Sequence, residues 1–302
     1  MSAPRVSVLM CCFNGERWLP EAIESALKQT VAEIELVFMD NGSTDRSPEI
    51  AARYTSDARF RHHRQAHTFL PVARNHAVRL ARGEFFAVLD TDDVWPADRL
   101  ERHLAMMEAH PEVALVYGDA EHIDEAGRVF FVRRQPAYPP ARVLPRLVAG
   151  NFVSLGTALV RARCWRAVGA SDEHLFGADD WDLLLRLAAR WPIIHLPTIT
   201  VRFRYHAANT SLDPRMFEDE VRILTKAERA HPELAAICRR KLADNHYRRA
   251  GAHRAAQRWS SAGDDYRAAL HLRRSHLRAW IGLARLGVGR LWHALPTLGR
   301  VW

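Results

Sequence analysis

Short apolar runs alternate with amphipathic segments over the first 117 residues, and this alternation constrains the fold more than any other feature of the 302-residue chain. The apolar runs occupy residues 6–12, 35–39, 85–89 and 113–117. The segments with apolar residues at helical spacing are 19–28, 47–54, 72–81 and the stretch after Pro96. Strands that alternate with helices predict an α/β fold with a mainly parallel twisted sheet flanked by helices.

The middle of the chain has a less regular pattern. Residues 133–150 carry four prolines and are predicted to form a loop. Residues 153–160 and 193–205 have a strand-like composition, and residues 180–190 have the apolar spacing of a helix. We therefore expect the sheet to continue beyond residue 117 with a helix between its later strands.

The C-terminal part of the chain differs in composition from the rest. After Pro214 it is rich in Ala, Leu and Arg, so we predict an α/β domain over residues 1–212 and a helical, basic region over residues 213–302. The second region holds 18 Lys and Arg against 9 Asp and Glu, although the formal net charge of the whole chain is only +8. Residues 268–302 hold six arginines and no acid.

The basic excess of this region suits an anionic partner. Residues 277–302 place Leu, Trp and Ile between arginines, a pattern that suits a helix on an anionic membrane surface. A helix packed on the first domain, or a solvated helical face, fits the same pattern. Since no zinc-finger spacing, RNA-binding aromatic motif or heptad pattern is present, we expect no nucleic-acid partner.

Cysteine usage and hydropathy favour a cytoplasmic location. The four cysteines show no metal-ligand spacing and are interpreted as reduced core residues: Cys11, Cys12, Cys164 and Cys238. The apolar stretch near the N-terminus lacks a basic leader and a small-residue cleavage site, so we expect no signal peptide. No run of about 20 apolar residues is present, so we expect no membrane-spanning helix.

Two acidic segments directly follow two of the predicted strands. Asp40 follows the run ELVFM, and Asp90, Asp92 and Asp93 follow the run FFAVL. Ligands of open parallel sheets bind beyond the carboxyl ends of the strands, so these segments indicate a ligand site. Aspartates are also ordinary turn formers, and either segment alone is compatible with a solvated turn.

Crowding of carboxylates after residue 89 needs a positive counter-charge or exposure to water. Asp90 and Asp92 are two positions apart where the chain leaves a strand, so both side chains can approach one small volume. Hard oxygen ligands suit Mn²⁺ or Mg²⁺, which also bind substrate phosphates. A divalent ion would offset the repulsion and couple the chain to a diphosphate.

Six motifs in order resemble those of family 2 glycosyltransferases with the GT-A fold, over roughly residues 6–211. They are VSVLMCCFNGERWL, LVFMDNGSTDRS, ARN at 73–75, VLDTDDVWPADRLE, GADDWDLLLRLA and FRYHAANTS. The resemblance implies an inverting, metal-dependent, hexosyltransferase-type enzyme that takes a sugar from a UDP-, GDP- or dTDP-sugar. It implies a glycan or lipid-linked acceptor, a role in bacterial surface polysaccharide synthesis, and a cytoplasmic or peripheral position on the inner face of the plasma membrane.

The resemblance also implies roles for individual residues. Residues expected at the donor nucleotide are Phe13, Asn14, Asp40, Arg74 and Asp90. Residues expected at the metal are Asp90, Asp92 and His206, with Asp93 as a further acid common in the family.

The resemblance assigns the general base to Asp180. Asp179 stands where Glu is usual, so the choice between Asp179 and Asp180 stays open. Capping of the following helix explains an acid at this position equally well. The helix N-terminus would lower the basicity of Asp180, whereas burial would raise it.

Two other function classes were weighed. A sugar-phosphate nucleotidyltransferase of similar fold would carry a Gly-rich, basic loop after the first strand, whereas CCFNGERWL holds a single glycine. A non-enzymatic module would bind a partner or a membrane through its basic helical tail.

Overall fold

The protein is described by a computed structural model that covers residues 3–207, 209 and 213–294, with side chains described as far as residue 286. The chain divides into two compact units, Met1–Leu212 and Asp213–Trp302. Within the described part of the chain, no helix combines the length and the apolar character needed to cross a membrane.

The first unit contains an eight-stranded sheet. Its strands are β1 (Val6–Cys12), β2 (Ile34–Asp40), β3 (Phe60–Arg64), β4 (Phe85–Val88), β5 (Leu115–Ile123), β6 (Val129–Arg133), β7 (Ala158–Arg161) and β8 (Ile193–Arg204). The strand order is β3-β2-β1-β4-β7-β5-β6, and β8 also pairs with β5. The pairs β3-β2, β2-β1, β1-β4 and β5-β8 are parallel, while β7 runs antiparallel to β4 and β5, and β6 runs antiparallel to β5. The predicted α/β class with a mainly parallel sheet is confirmed.

Seven helices accompany this sheet. They are α1 (Leu19–Leu27), α2 (Ser47–Ala52), α3 (Leu70–Leu80), α4 (Arg99–Ala109), α5 (Pro140–Ala149), α6 (Ala162–Val168) and α7 (Asp179–Ala188). Proline stands in the first turn of α1, α2, α3 and α5, where its missing N–H has no helical partner to lose. Strands β2 and β4 are buried along their whole length, as expected for strands covered on both faces.

Four elements of this unit differ from the sequence expectation, among them helix α6, which lies in a stretch for which no element was predicted. Residues 140–149 form helix α5 rather than a loop, because Val143, Leu147 and Val148 bury one apolar face although Pro145 interrupts the backbone hydrogen bonding. Strand β3 was not predicted because its sequence FRHHR holds a single apolar residue, and edge strand β6 was not predicted although four of its five residues, all of them exposed, are apolar. Strand β3 therefore lacks the apolar run on which the predictions rested, whereas β6 carries the apolar run VFFV on an exposed edge, and the sequence prediction overlooked it.

The second unit is helical. Its helices are α8 (Met216–Ala230), α9 (Ala235–Ala255), α10 (Trp259–Leu272) and α11 (Leu277–Ala294). Tyr266, Leu270 and Leu286 belong to its small core. In α11, Leu277 and Trp280 are exposed, which leaves the membrane-surface prediction for residues 277–302 standing as a prediction. The part of that prediction that falls on residues 295–302 lies outside the described residues.

Candidate active site

Three neighbouring strands bring the two acidic segments to one edge of the sheet. The parallel pairing of β1 with β2 sets Cys12 beside Asp40. On its other side β1 pairs in parallel with β4, which ends at Val88, two residues before Asp90. Residues 90–93, with the sequence DTDD, form a turn that we call the DTDD turn. Asp40 and the DTDD turn thus flank the end of β1.

Asp40 is a buried carboxylate with one oxygen in a hydrogen bond and the other in an ion pair. Its Oδ1 accepts a hydrogen bond from the Ser43 N–H at 2.9 Å. Its Oδ2 lies 3.1 Å from Arg64 Nε but has no partner with hydrogen-bond geometry among the described residues. Beside this carboxylate, the half-exposed ring of Phe13 lies 3.8 Å from the His67 ring, centroid to centroid. A carboxylate oxygen that accepts no hydrogen bond, near two aromatic rings, is a suitable setting for a planar ligand with an N–H donor.

Asn14 holds the loop after β2 in place. It adopts a left-handed backbone conformation with φ of +55°, which asparagine tolerates better than most residues. Its Oδ1 accepts the Thr44 N–H at 2.8 Å, and its own N–H donates to Ser43 Oγ at 3.1 Å. The contacts of Asn14 are therefore made within the loop that carries Asp40, and its expected place beside a nucleotide stays a prediction.

The DTDD turn is joined to the segment that follows β8. Asp92 Oδ2 lies 2.9 Å from His206 Nε2, and the His206 ring stacks on Trp18 with centroids 4.5 Å apart. Asp93 is buried, and its Oδ1 accepts the Arg204 N–H at 3.0 Å. The acids of the turn and His206, which are separated by more than 110 residues, are therefore neighbours.

Arg204 was missed by the sequence reasoning. It is buried, donates through Nε to the Asp92 carbonyl at 3.0 Å, and pairs with Glu21 at 2.6 Å. It thus fixes the backbone of the DTDD turn against β8. The signal was its position two residues before His206 in the motif FRYHAANTS.

The acids of this turn are short of positive charge. Burial, together with the negative charge of Asp92, raises the pKa of Asp90 to about 6. Burial and the charges of Asp92 and Asp90 raise the pKa of Asp93 well above its usual range, although Arg204 acts in the opposite direction. A cation arriving with a ligand would relieve this repulsion.

The residues present fit a divalent ion that shares its coordination with a ligand. Among the described residues no group of three or more His, Cys, Asp or Glu side chains could by itself hold a metal. Asp92 and His206 place an oxygen and a nitrogen 2.9 Å apart. Two ligand atoms at right angles on an octahedral ion, with bonds of about 2.1 Å, lie about 3.0 Å apart. Such ions often bind only one or two protein side chains and take phosphate and water as their other ligands. These two residues, with Asp90 nearby, could hold Mn²⁺ or Mg²⁺ on a bound diphosphate.

The two adjacent aspartates at the start of α7 have different environments. Asp179 is fully buried, and its Oδ2 pairs with Arg74 at 2.5 Å. Asp180 is half-buried and has no cationic partner within hydrogen-bond distance among the described residues. Its Oδ1 accepts the Trp181 N–H at 2.6 Å, and its Oδ2 lies 3.5 Å from Asn151 Nδ2.

The charge of each group follows from these contacts. Burial by itself would lower the pKa of Arg74, but Asp179 and Asp90 outweigh it and raise that pKa above its usual range, so Arg74 is charged. Burial and the charge of Asp179 raise the pKa of Asp180 from 3.8 to about 7, with Arg74 opposing the rise. Asp180 can therefore exchange a proton near neutral pH, which suits a general base.

Arg74 and its neighbour anchor the segment that leads into α7. Asn75 accepts the Ser171 N–H at 2.8 Å and donates to the Ser171 carbonyl at 3.0 Å. The middle of α3 thus holds both ends of the stretch between Ser171 and Asp179. The expected contact of Arg74 with a nucleotide stays a prediction, since its described ion pair is with Asp179.

Comparison with known proteins gives the chain a family. The model of the family described as Glycosyl transferase family 2 matches residues 7–161. Chondroitin synthase of Escherichia coli is 29% identical over 211 residues, which are 69% of this chain. The chain spans only 30% of the length of that synthase.

Solved structures show the fold. Staphylococcus aureus TarS 1-349 in complex with UDP-GlcNAc is 17% identical, with a TM-score of 0.70, and the match covers 98% of this chain and 94% of that one. Mannosyltransferase PcManGT from Pyrobaculum calidifontis, in complex with GDP-Man and Mn²⁺, is 19% identical, with a TM-score of 0.59, and the match covers 98% and 89%. The expected GT-A fold with C-terminal helices is confirmed. Because the family model matches more than half of its 302 residues, the chain belongs to glycosyl transferase family 2.

Proposed function

We propose that the chain transfers a hexosyl group from a nucleotide sugar to an acceptor hydroxyl with inversion, and that Asp180 is the general base. The observation that carries the proposal is the contrast between two adjacent acids: Arg74 neutralises Asp179, whereas Asp180 has a pKa of about 7. A base needs a carboxylate that can accept a proton near neutral pH, and a permanently paired acid cannot serve.

The donor would lie over the carboxyl edge of β1, β2 and β4. Asp40 Oδ2 would accept an N–H of the base, and Phe13 would lie against the base beside His67. The complexes of the two structural neighbours with UDP-GlcNAc and GDP-Man support a nucleotide-sugar donor. The choice among UDP-, GDP- and dTDP-sugars is left to the binding experiment below.

The residues of this chain divide the chemistry between them. Asp180 takes the proton of the acceptor hydroxyl while that oxygen forms a bond to the anomeric carbon. The bond from the anomeric carbon to the diphosphate breaks, and its electron pair leaves on the phosphate oxygen. One direct displacement inverts the anomeric centre. Asp92, His206 and Asp90 would hold Mn²⁺ or Mg²⁺, which when bound supplies positive charge to the leaving diphosphate.

The acceptor we propose is a glycan or a lipid-linked glycan of bacterial surface polysaccharide synthesis. Similarity to chondroitin synthase, whose product is a polysaccharide, supports this class. We further propose that the enzyme works in the cytoplasm, with the basic helical region, residues 213–302, at an anionic inner membrane face. The excess of 18 basic over 9 acidic residues in that region supports this placement.

Donor binding is the direct test of the proposal. A thermal-shift screen with UDP-, GDP- and dTDP-sugars and Mn²⁺ should show a rise for one nucleotide class. Asp40→Ala should lose that rise, and Asp180→Asn should keep it while it loses release of the nucleoside diphosphate. Binding of no nucleotide sugar, or release of pyrophosphate from a nucleoside triphosphate, would overturn the proposed function.

A further inference from the structure

Asn151 lies beside the candidate base and carries a side-chain amide that is only half used. Its Nδ2 lies 3.5 Å from Asp180 Oδ2, within reach of a weak hydrogen bond. Its Oδ1 is buried and has no hydrogen-bond partner among the described residues. A buried acceptor without a donor destabilises the fold, so its presence beside a reactive group needs an explanation.

The position of Asn151 is held from both sides. The ring of the next residue, Phe152, packs edge-to-face on Tyr117 at 5.8 Å and on Tyr138 at 5.1 Å, centroid to centroid. On the other side, Trp181 Nε1 donates to the Leu147 carbonyl at 2.9 Å and so ties α5 to α7. Rigid support of this kind is what a recognition group needs in order to discriminate between ligands.

The amide has a defined orientation relative to Asp180. Since Oδ1 belongs to the same amide group whose Nδ2 lies 3.5 Å from Asp180 Oδ2, the two acceptor oxygens belong to neighbouring side chains. Two neighbouring acceptors match the two O–H donors of a vicinal diol, and an isolated alcohol would leave one of them unpaired.

We propose that Asn151 and Asp180 form an acceptor subsite for a vicinal diol of a carbohydrate. The hydroxyl that is glycosylated donates to Asp180 Oδ2, and the neighbouring hydroxyl donates to Asn151 Oδ1. The weak contact of Asn151 Nδ2 with Asp180 orients the amide, while the Trp181 N–H holds the Asp180 carboxylate. This inference rests on the proposed function and adds the chemical class of the acceptor to it.

The test compares two acceptors that differ by one hydroxyl. The probes are the best acceptor in a panel of p-nitrophenyl glycosides and its deoxy analogue that lacks the hydroxyl next to the glycosylated one. With the full chain, Mn²⁺ and the donor found by the binding screen, the diol should be preferred in kcat/KM by at least about tenfold. Asn151→Ala should lower kcat/KM for the diol by about tenfold to a hundredfold and leave the deoxy analogue nearly unchanged.

Controls separate a lost contact from a damaged loop. Gln135→Ala removes another buried amide that has no side-chain partner among the described residues, and it should keep the preference for the diol. Asn151→Leu keeps the bulk of the side chain and should behave like Asn151→Ala. The KM for the donor should be unchanged in both Asn151 variants, because Asn151 is not among the residues proposed to bind the donor.

Two results would overturn the inference while leaving the proposed function intact. One is an equal loss for the diol and the deoxy analogue in Asn151→Ala, because a structural role would affect both acceptors alike. The other is a wild-type enzyme that uses both acceptors equally well. A wild-type enzyme that neither binds nor hydrolyses any nucleotide sugar would overturn the proposed function and the inference together.

Discussion

Asp180→Asn is expected to stabilise the fold at alkaline pH although it removes the candidate base. The pKa of Asp180 is raised from 3.8 to about 7 by burial and by Asp179. Because the folded-state pKa lies above the unfolded one, ionisation of Asp180 opposes folding. This cost is absent below about pH 4, grows between pH 4 and pH 7, and amounts to about 4 kcal/mol above pH 7.

Asparagine cannot ionise, so the substitution should remove this cost. The gain in free energy of unfolding should be larger at pH 8 than at pH 5, by about 2–3 kcal/mol, because the cost is only partly developed at pH 5. Urea unfolding of both proteins at the two pH values measures the difference. Asp98→Asn is the control, since Asp98 also stands at the start of a helix but is more exposed, and its ion pair with Arg102 is a surface pair that contributes little. An equal gain at pH 5 and pH 8, or a loss at pH 8, would refute the argument that Asp180 is destabilised as an anion.

Further expectations concern catalysis, the ion pair and the metal. Below pH 7 the kcat/KM for transfer should fall about tenfold per pH unit as Asp180 becomes protonated. A kcat/KM that does not change between pH 5 and pH 8 would contradict the role of Asp180 as the base. Arg74→Met should lower the free energy of unfolding by about 3–5 kcal/mol, because Asp179 is left buried and unpaired. An unchanged free energy of unfolding, measured by urea unfolding, would show that the ion pair does not stabilise the fold. His206→Ala should raise the Mn²⁺ concentration for half-maximal activity by at least about tenfold. The same substitution at the exposed His110 should leave that concentration unchanged. An unchanged Mn²⁺ titration in His206→Ala would show that His206 does not bind the metal.

The sequence predicted the placement of the acidic segments well because parallel strands end at a common edge. Two apolar runs followed by aspartates were enough to place Asp40 and the DTDD turn there, since β1 pairs in parallel with both β2 and β4. The same logic failed for β3 and β6. The side chains of β3 are largely polar, and the apolar side chains of β6 are exposed on an edge strand, so neither strand was marked by an apolar run followed by acids.

The roles within the site depended on contacts that sequence spacing does not carry. Asp179 and Asp180 are indistinguishable as neighbours in the chain, and only Arg74, 105 positions away, separates a paired acid from an unpaired one. Arg204 and Asn151 were missed for the same reason, because their partners in the site lie far from them in the chain. Helix α5 was missed because its prolines outweighed its apolar face in the sequence reasoning.

The most direct test of the central claim is a single comparison of turnover at fixed donor occupancy. Release of nucleoside diphosphate in the presence of Mn²⁺ and acceptor is measured for wild type and Asp180→Asn at pH 8, with donor binding measured in parallel. We predict that Asp180→Asn binds the donor like wild type and turns over at least about a hundredfold more slowly, because the acceptor hydroxyl has lost its base. Turnover close to that of wild type in Asp180→Asn would contradict the assignment of Asp180 as the catalytic base.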